Sequence, residues 1–296
     1  MKLEPEIDHG YAQLDNVRLH YAECGRSNDE LVLLLHGFPE FWYSWRHQLP
    51  VLGRKFHIVA PDLRGYNLSD KPSRVEDYRI DVLVEDVVGL VKYFGATKAA
   101  IVGHDWGAGI AWAVALVHPE RVSKVVAMQV PPAAAWRANM SLQQLLRSWY
   151  MFFFQLPRIP EWAISRKGFN SIDSTFRDSV VTKGSFSDAD IERYKEAIRQ
   201  PGALTGGINY YRANVRRLFF SGHSDNDAVV SGRVAVPSLF IFGERDFAII
   251  PKTARGIERY VSGPYREVRI PASGHWIQNE AVDEVNSVLI DFLGAK

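Results

Sequence analysis

The sequence predicts an α/β fold with a mostly parallel central sheet, helices on both faces and an inserted helical lid. Four short apolar runs occur within the first 130 residues, and a fifth run at 238–242 follows after a long gap. Their apolar residues are continuous, as in strands that are covered on both faces. Helical patterns separate these runs, and such alternation of strand and helix is typical of a doubly wound sheet.

The elements follow one another in an order that fits this fold. The opening segment 11–25 predicts an antiparallel hairpin that turns at Asp15 and Asn16. The buried strands that we expect next are 31–35, 56–60, 99–103, 124–130 and 238–242. Apolar residues recur at helical spacing over 81–95, and Gly95 is a typical stop signal. These elements account for most of the predicted core domain, which spans residues 1–130 and 231–296.

The pattern changes between residues 131 and 230. This stretch is helical and rich in aromatic residues, and no alternation of strand and helix continues through it. Ser187, followed by Asp190, resembles a capping box at the start of a helix, with Asp in place of Glu. We therefore predict that 131–230 is a helical lid inserted between two parts of one sheet.

Composition limits the kinds of partner. The chain has 296 residues with 35 basic and 34 acidic side chains, a balance that argues against nucleic acid or a membrane surface as partner. A polar start and the lack of a run of ~18 apolar residues predict a cytoplasmic protein, monomeric or homodimeric. The single cysteine, Cys24, is expected to be a small apolar core residue. No metal-ligand pattern or dinucleotide fingerprint occurs, so no metal and no cofactor are expected.

A sharp turn is predicted at Gly103-His104-Asp105-Trp106-Gly107. Small residues two positions on either side of Asp105 suit a crowded turn from strand to helix, and the helix N-terminus favours a negative charge there. The alternative is an ordinary loop in which Asp105 caps the helix. His104 is interpreted as a packing residue.

Further motifs decide between these interpretations. Together with this turn, they resemble the α/β-hydrolase family, and within it the epoxide hydrolases, over nearly the whole chain. The motifs are HGFPEFWYSW (36–45), PDLRGYNLSD (61–70), FGERDFAII (242–250) and GHWIQNE (274–280).

The resemblance implies a role for each matching residue. Asp105 would be the nucleophile, Asp246 the acid and His275 the base, in the chain order that this fold uses. The backbone N–H groups of Phe38 and Trp106 would form the oxyanion hole. The residues expected to contact substrate are His36, Phe38, Pro39 and Trp106.

The residue types themselves indicate a two-step reaction. A carboxylate is already ionised at neutral pH, so Asp105 needs no base in order to attack a saturated carbon. The product of this attack is an ester, which water activated by His275 would hydrolyse, while Asp246 orients the imidazole.

The lid residues determine whether the leaving group is an epoxide oxygen or a halide. An epoxide oxygen needs a proton donor, and the segments WYMFFFQLP (149–157) and NYYRANVRRL (209–218) resemble those that carry the two lid tyrosines of epoxide hydrolases. The match points to Tyr150 and Tyr211, with Tyr210 as the less favoured choice for the second. The alternative for both is aromatic packing of the lid.

Two other functions stay open. A haloalkane dehalogenase would use the same Asp105 and bind halide through Trp106 and a lid tryptophan, Trp149 or Trp162. A non-catalytic receptor on this fold would have no need of the complete triad. The aromatic segment 41–50 either lines the cavity, which favours a small apolar or aromatic epoxide, or packs as a helix.

Overall fold

One mixed sheet forms the centre of the molecule. The computed structural model describes residues 6–220 and 232–295, without the side chains of 216–220. Within these residues, eight strands form a sheet in the order β1-β2-β4-β3-β5-β6-β7-β8. The strands are β1 (Asp8–Gln13), β2 (Arg18–Cys24), β3 (Leu31–Leu35), β4 (His57–Pro61), β5 (Ala99–His104), β6 (Val122–Met128), β7 (Ser238–Gly243) and β8 (Tyr265–Ile270).

The predicted fold class is confirmed. Strands β3 to β8 pair in parallel, whereas β1 and β2 form a hairpin that joins the sheet antiparallel to β4. The five predicted buried strands and the opening hairpin occur close to their expected positions. The pattern analysis missed β8, because its sequence YREVRI is charged and its side chains are mostly part-exposed.

Helices cover both faces of the sheet. Leu31, Leu33 and Leu35 of β3 pack with α2 (Ile80–Tyr93) and α3 (Trp106–Val117). The alternate residues Val32 and Leu34 pack on the opposite face, in the same core cluster as α1 (Leu49–Leu52) and α11 (Val282–Gly294). The short helix α10 (Ile277–Glu280) precedes α11. Because side chains alternate along a strand, each strand contributes to two cores.

Between β6 and β7 the chain forms a series of helices. These are α4 (Ala133–Ala138), α5 (Leu142–Arg147), α6 (Trp149–Phe153), α7 (Ile159–Asp178), α8 (Asp188–Arg199) and α9 (Ala203–Phe220). The backbone of α7 leaves the helical conformation between Arg166 and Phe169. The predicted capping box of Ser187 and Asp190 is present at the start of α8. The lid boundaries 131 and 230 stay predictions, and residues 221–231 lie outside the described part.

No helix within the described residues is long and apolar enough to cross a membrane. The carboxyl ends of β3, β5, β7 and β8 lie at one edge of the sheet, and the loops that follow them carry Phe38, Asp105, Asp246 and His275. In open α/β sheets this edge is where ligands bind.

Candidate active site

Asp105 lies on a strained turn between β5 and α3. Its backbone has φ 51° and ψ −119°, an unfavourable conformation for a residue with a side chain. The flanking glycines are required by close backbone contacts. A Cβ on Gly103 would lie 2.1 Å from the Gly107 carbonyl oxygen, and one on Gly107 would lie 2.0 Å from the Leu35 carbonyl oxygen. The turn therefore presents the Asp105 carboxylate at the edge of the sheet.

The two carboxylate oxygens of Asp105 have different neighbours. Oδ1 accepts a hydrogen bond of 3.0 Å from the backbone N–H of Phe38. Oδ2 lies 3.7 Å from Nε2 of His275. Gly37 permits this approach, since a Cβ there would lie 2.4 Å from Cβ of Asp105. One oxygen is thus held by the loop after β3, while the other faces the imidazole.

His275 is oriented by Asp246. Its Nδ1 donates to Oδ2 of Asp246 at 2.8 Å. The other oxygen of Asp246 accepts the backbone N–H groups of Ala248 and Ile249 at 2.6 and 2.9 Å. The Asp246 carboxylate is thereby fixed from both sides, and the His275 ring directs Nε2 at Asp105.

Burial and charge act in opposite directions on this pair. Burial alone would raise the pKa of Asp105, but His275, His104 and the Phe38 N–H hold its pKa below the usual value. Burial would lower the pKa of His275, yet the carboxylates of Asp246 and Asp105 raise it well above the usual value. In the free protein the pair therefore exists as a carboxylate and an imidazolium.

Two lid tyrosines line the same cavity as Asp105. Tyr150 comes from α6 and Tyr211 from α9, and their ring centroids lie 5.8 Å apart. Burial and then the nearby Asp105 charge raise the pKa of both phenols. Both phenols therefore keep their protons at neutral pH and can donate them.

The cavity that Asp105 lines is mostly apolar. Its volume is about 160 Å³. One face of α3 forms a wall of it through Trp106, Gly109, Ala113 and Leu116. A helix rises 1.5 Å per residue, so Trp106 and Leu116, which are ten positions apart, are separated by roughly 15 Å along the helix axis.

The other side of Asp105 is filled by aromatic rings. Phe38 packs edge-to-face on Phe154 and Tyr211, at centroid distances of 5.6 and 5.7 Å. Phe154 is itself buried against Tyr211 at 4.9 Å. The space available to a ligand therefore lies along α3.

Comparison with known proteins gives a family. The profile described as alpha/beta hydrolase fold matches residues 30–282. Epoxide hydrolase 3 of Xenopus tropicalis is 37% identical, over 96% of this chain and 77% of that protein. AB hydrolase superfamily protein YfhM of Bacillus subtilis is 36% identical, over 96% of both chains.

A solved structure agrees with these relatives. A variant of the epoxide hydrolase from Bacillus megaterium superimposes with a TM-score of 0.82 and 32% identity, over 97% of this chain and 100% of that chain. The chain belongs to the epoxide hydrolases of the α/β-hydrolase fold. Its sequence and its fold agree on this family.

A buried pair of polar side chains, Glu40 and His104, supports the epoxide hydrolase site from behind. Glu40 accepts hydrogen bonds from Nδ1 of His104 at 2.7 Å and from the Gly37 N–H at 3.0 Å. The Nε2 of His104 donates to the backbone carbonyl of His275 at 2.8 Å. Both ring nitrogens of His104 therefore contact hydrogen-bond acceptors. Burial would raise the pKa of Glu40, but His104 lowers it, so Glu40 stays ionised.

This pair was not found by sequence reasoning, which treats His104 as a packing residue. Both side chains are at most 1% exposed, and they connect the loop after β3 to the loop that carries His275. The available signal was Glu40 itself, a charged residue within the apolar run FPEFWYSW. An acid in such a run needs a buried partner.

The lid also holds the loop that carries Asp246. Gln144 of α5 donates to the Ala248 carbonyl at 2.8 Å and accepts the Ile250 N–H at 2.9 Å. Arg147 donates to the carbonyls of Asp246 and Phe247 at 2.9 and 3.2 Å. The lid and the acid loop are therefore joined by four hydrogen bonds.

His36 and Pro39 lie away from the α3 cavity, so their expected contact with substrate has no support in this geometry. His36 is fully buried; its Nδ1 donates to the Gly37 carbonyl, and its Nε2 accepts the Leu63 N–H at 3.0 Å. These bonds fix the backbone of the loop that presents Phe38. The Phe38 N–H reaches Asp105, and the Trp106 ring lines the cavity.

The structure separates the two candidate lid tyrosines. Tyr210 is fully buried and its hydroxyl donates to the Arg64 carbonyl at 2.8 Å, whereas Tyr211 lines the cavity. Trp149 and Trp162 are 63% and 60% exposed on the outer surface of the lid. They are therefore not placed to bind a halide beside Asp105.

The aromatic segment 41–50 packs within the fold rather than lining the α3 cavity. Trp45 is fully buried, and the hydroxyl of Tyr43 donates to Asp190 of the lid at 2.8 Å. This segment therefore joins the core to the lid. Among the described residues, no group of three or more His, Cys, Asp or Glu side chains could hold a metal ion.

Proposed function

We propose that the enzyme hydrolyses epoxides to vicinal diols through a covalent ester of Asp105. The observation that supports this most is the position of the carboxylate. It lines one cavity with two protonated phenols, while Phe38 and His275 flank its two oxygens. A nucleophile, a proton donor and a base are thus within reach of one bound molecule.

In the first step, Oδ2 of Asp105 attacks a carbon of the epoxide ring. The bond from this carbon to the ring oxygen breaks, and the alkoxide takes a proton from Tyr150 or Tyr211. General acid catalysis of this kind contributes typically 10²- to 10⁴-fold. Oδ1, held by the Phe38 N–H, becomes the ester carbonyl oxygen.

In the second step, His275 activates water. Formation of the ester removes the negative charge of Asp105, which is one of the causes of the raised His275 pKa. The imidazolium can then release its proton, which restores the phenol. The neutral imidazole takes a proton from water as the water oxygen attacks Cγ of Asp105. The negative charge develops on Oδ1, where the Phe38 and Trp106 N–H groups stabilise it. Collapse of this intermediate breaks the Cγ–Oδ2 bond, and the diol leaves with Oδ2 and the proton held by His275. The new Asp105 carboxyl group, which carries the water oxygen, then gives its proton to His275, and this restores the starting pair.

The cavity supports a substrate class. Because an apolar wall of the cavity follows α3 away from Asp105, we propose a terminal epoxide with one apolar substituent. A cavity of about 150 Å³ accommodates benzene, so the space here suits an aromatic ring or a short alkyl chain. The B. megaterium variant is described in complex with its product (R)-3-[1]naphthyloxy-propane-1,2-diol, a diol with a single aromatic arm.

A single turnover in heavy-oxygen water, with enzyme in excess, tests the mechanism. The first diol should carry no label, because its new oxygen comes from Asp105. The peptide that contains Asp105 should gain the label, which mass spectrometry detects. A labelled first diol would show direct attack by water. Incubation with a bromoalkane tests the dehalogenase alternative, and we expect no halide release.

A further inference from the structure

Helix α5 and the first residue of α6 expose an apolar face, and the opposite face of α5 buries polar side chains. Ser148 joins the two helices, since its N–H donates to Gln144 and its carbonyl accepts from Met151. Leu142, Leu145, Leu146 and Trp149 follow at i, i+3, i+4 and i+7, the spacing of one helix face. All four are exposed, Leu142 by 73% and Leu146 by 66%.

The opposite face explains this inversion. Gln144 and Ser148 are completely buried, and Gln144 hydrogen-bonds to the loop after Asp246. The amide of Gln144 and the hydroxyl of Ser148 therefore face the core, and the leucines of the helix face outward. Further along the chain, Leu156, Ile159 and Trp162 are also among the exposed apolar residues. We call these seven residues the outer lid surface.

So many exposed large apolar side chains within residues 142–162 are unusual for a monomer. Single exposed apolar residues need no explanation, but a concentrated apolar surface marks an interaction site. Two of the seven side chains are tryptophans, which are enriched where protein meets lipid headgroups. The outer lid surface therefore needs an apolar partner, either another protein surface or a lipid surface.

Charge distinguishes these partners. The chain as a whole is nearly neutral, with a formal charge of +1. Residues 131–170, in contrast, contain five basic side chains (Arg137, Arg147, Arg158, Arg166, Lys167) and one acidic side chain, Glu161. Arg137 lines the cavity and Arg147 holds the loop of Asp246, whereas Arg158, Arg166 and Lys167 are exposed. Glu161 forms an ion pair with Arg212 at 2.7 Å. Two copies of this surface would bring like charges together, whereas an anionic surface would attract it.

We propose that the outer lid surface docks on anionic lipid bilayers, with its leucines and tryptophans among the headgroups and acyl chains. An amphipathic helix with apolar and basic residues typically lies in the plane of the interface. This docking differs from membrane spanning and needs no long apolar helix. It does not depend on the mechanism proposed for Asp105.

Sedimentation with vesicles tests the proposal. The full chain should sediment with equimolar phosphatidylcholine and phosphatidylglycerol vesicles, and much less with phosphatidylcholine alone. Added salt should weaken the binding, because it screens the contribution of the basic residues. Equal failure to bind both kinds of vesicle would overturn the proposal.

Two variants and a matched control separate the contributions. Leu142→Gln with Leu146→Gln should weaken partitioning about tenfold or more, since two exposed leucines lose their contact with lipid. Arg158→Ser with Lys167→Ser should weaken it by about 25-fold, or fivefold for each charge. The control Leu68→Gln with Val117→Gln removes side chains that are 43% and 41% exposed outside the lid, and should bind like the wild type.

Two further measurements make the outcome decisive. Melting temperature and hydrolysis of a water-soluble epoxide should be unchanged in all three variants, which shows that each is folded. Light scattering after gel filtration reports the oligomeric state. A wild-type dimer that ignores vesicles and dissociates in the leucine variant would show that this surface binds a second copy, contrary to the proposal.

Discussion

The two halves of the active site are held by different forces. On the core side, hydrogen bonds to backbone groups and carboxylates fix Asp105, Asp246 and His275. On the lid side, Tyr150 and Tyr211 are positioned by edge-to-face packing with each other and with Phe154. Hydrogen bonds fix direction more strictly than ring packing does. We therefore expect the core half to determine the chemistry and the lid half to determine proton donation and fit.

The largest expected effect is the loss of the base in the core half. His275→Gln should reduce turnover roughly ten-thousandfold, while Asp105 still forms the ester. Intact-mass spectrometry should therefore show the enzyme plus one substrate mass. A variant without this adduct would indicate that His275 is needed before the ester forms, and the two-step route would have to be abandoned.

Removal of both phenols should eliminate proton donation from the lid half of the active site. Tyr150→Phe with Tyr211→Phe should slow ester formation by about a thousandfold, because the alkoxide then lacks its proton donor. Stopped-flow single turnovers measure this step directly.

Tyr210→Phe provides the matched control for this pair. It removes the hydrogen bond to Arg64 and should cost about 1 kcal/mol of unfolding free energy, measured by urea denaturation, with ester formation unchanged. Slow ester formation in Tyr210→Phe with normal rates in Tyr211→Phe would reverse the assignment of the second tyrosine.

A smaller effect is expected where the core forms the wall of the cavity. Nothing lies within 4 Å of a Cβ built on Gly109, which lines the cavity on α3. Gly109→Leu should reduce kcat/KM for a long terminal epoxide by about ten- to a hundredfold, and for the shortest epoxide much less.

Gly109→Ala is the control for space, and it should leave the rates close to those of the wild type. Competition between 1,2-epoxybutane and 1,2-epoxyoctane measures the selectivity in one tube. If kcat/KM fell equally for both substrates in Gly109→Leu, the substituent of the epoxide would not lie along the α3 wall.

The buried pair of Glu40 and His104, which lies behind the core half of the active site, should contribute less to turnover than to stability. Glu40→Gln removes a charge that accepts from His104 and the Gly37 N–H. We expect roughly tenfold lower kcat and about 3 kcal/mol less unfolding free energy, because the buried His104 ring and the Gly37 N–H lose their charged acceptor. Denaturant titration and steady-state kinetics test both. Unchanged stability would mean that the charge of Glu40 contributes nothing to folding.

The final prediction uses pH instead of a substitution. The pKa of Asp105 is lowered, so the carboxylate stays ionised as the pH falls and still attacks. Hydrolysis needs neutral His275, whose pKa Asp246 continues to raise in the ester. Ester should therefore accumulate in acid, which rapid quenching and mass spectrometry can detect. A falling ester fraction in acid would place the pH limit in the first step.

The contrast between core and lid also explains what the sequence could predict. The residues of the core half follow strands at short spacing, so the resemblance that assigns Asp105, Asp246 and His275 depends on short local motifs. The same resemblance assigns the lid tyrosines, and only packing separates Tyr211 from Tyr210. Glu40 and His104 are 64 residues apart in sequence and meet only in the fold, so no local pattern shows their contact.

Periodicity also misleads in the lid. Leu142, Leu145, Leu146 and Trp149 have the spacing of a core-facing helix, and yet they face outward. A pattern of this kind gives the face but not its direction, because Gln144 and Ser148 find buried hydrogen-bond partners. The 41–50 segment is a related case. Its aromatic residues are typical of a cavity wall, but they pack between the core and the lid.

The four hydrogen bonds from Gln144 and Arg147 to the acid loop limit how the enzyme can open. If α5 swung away as a rigid flap, Asp246 would lose its supports and His275 its orientation. While α5 is displaced, Asp246 and His275 therefore cannot keep the positions that the reaction needs. Substrate must therefore enter, and diol must leave, elsewhere along the cavity. Small movements that keep α5 bound to the loop after Asp246 would be sufficient.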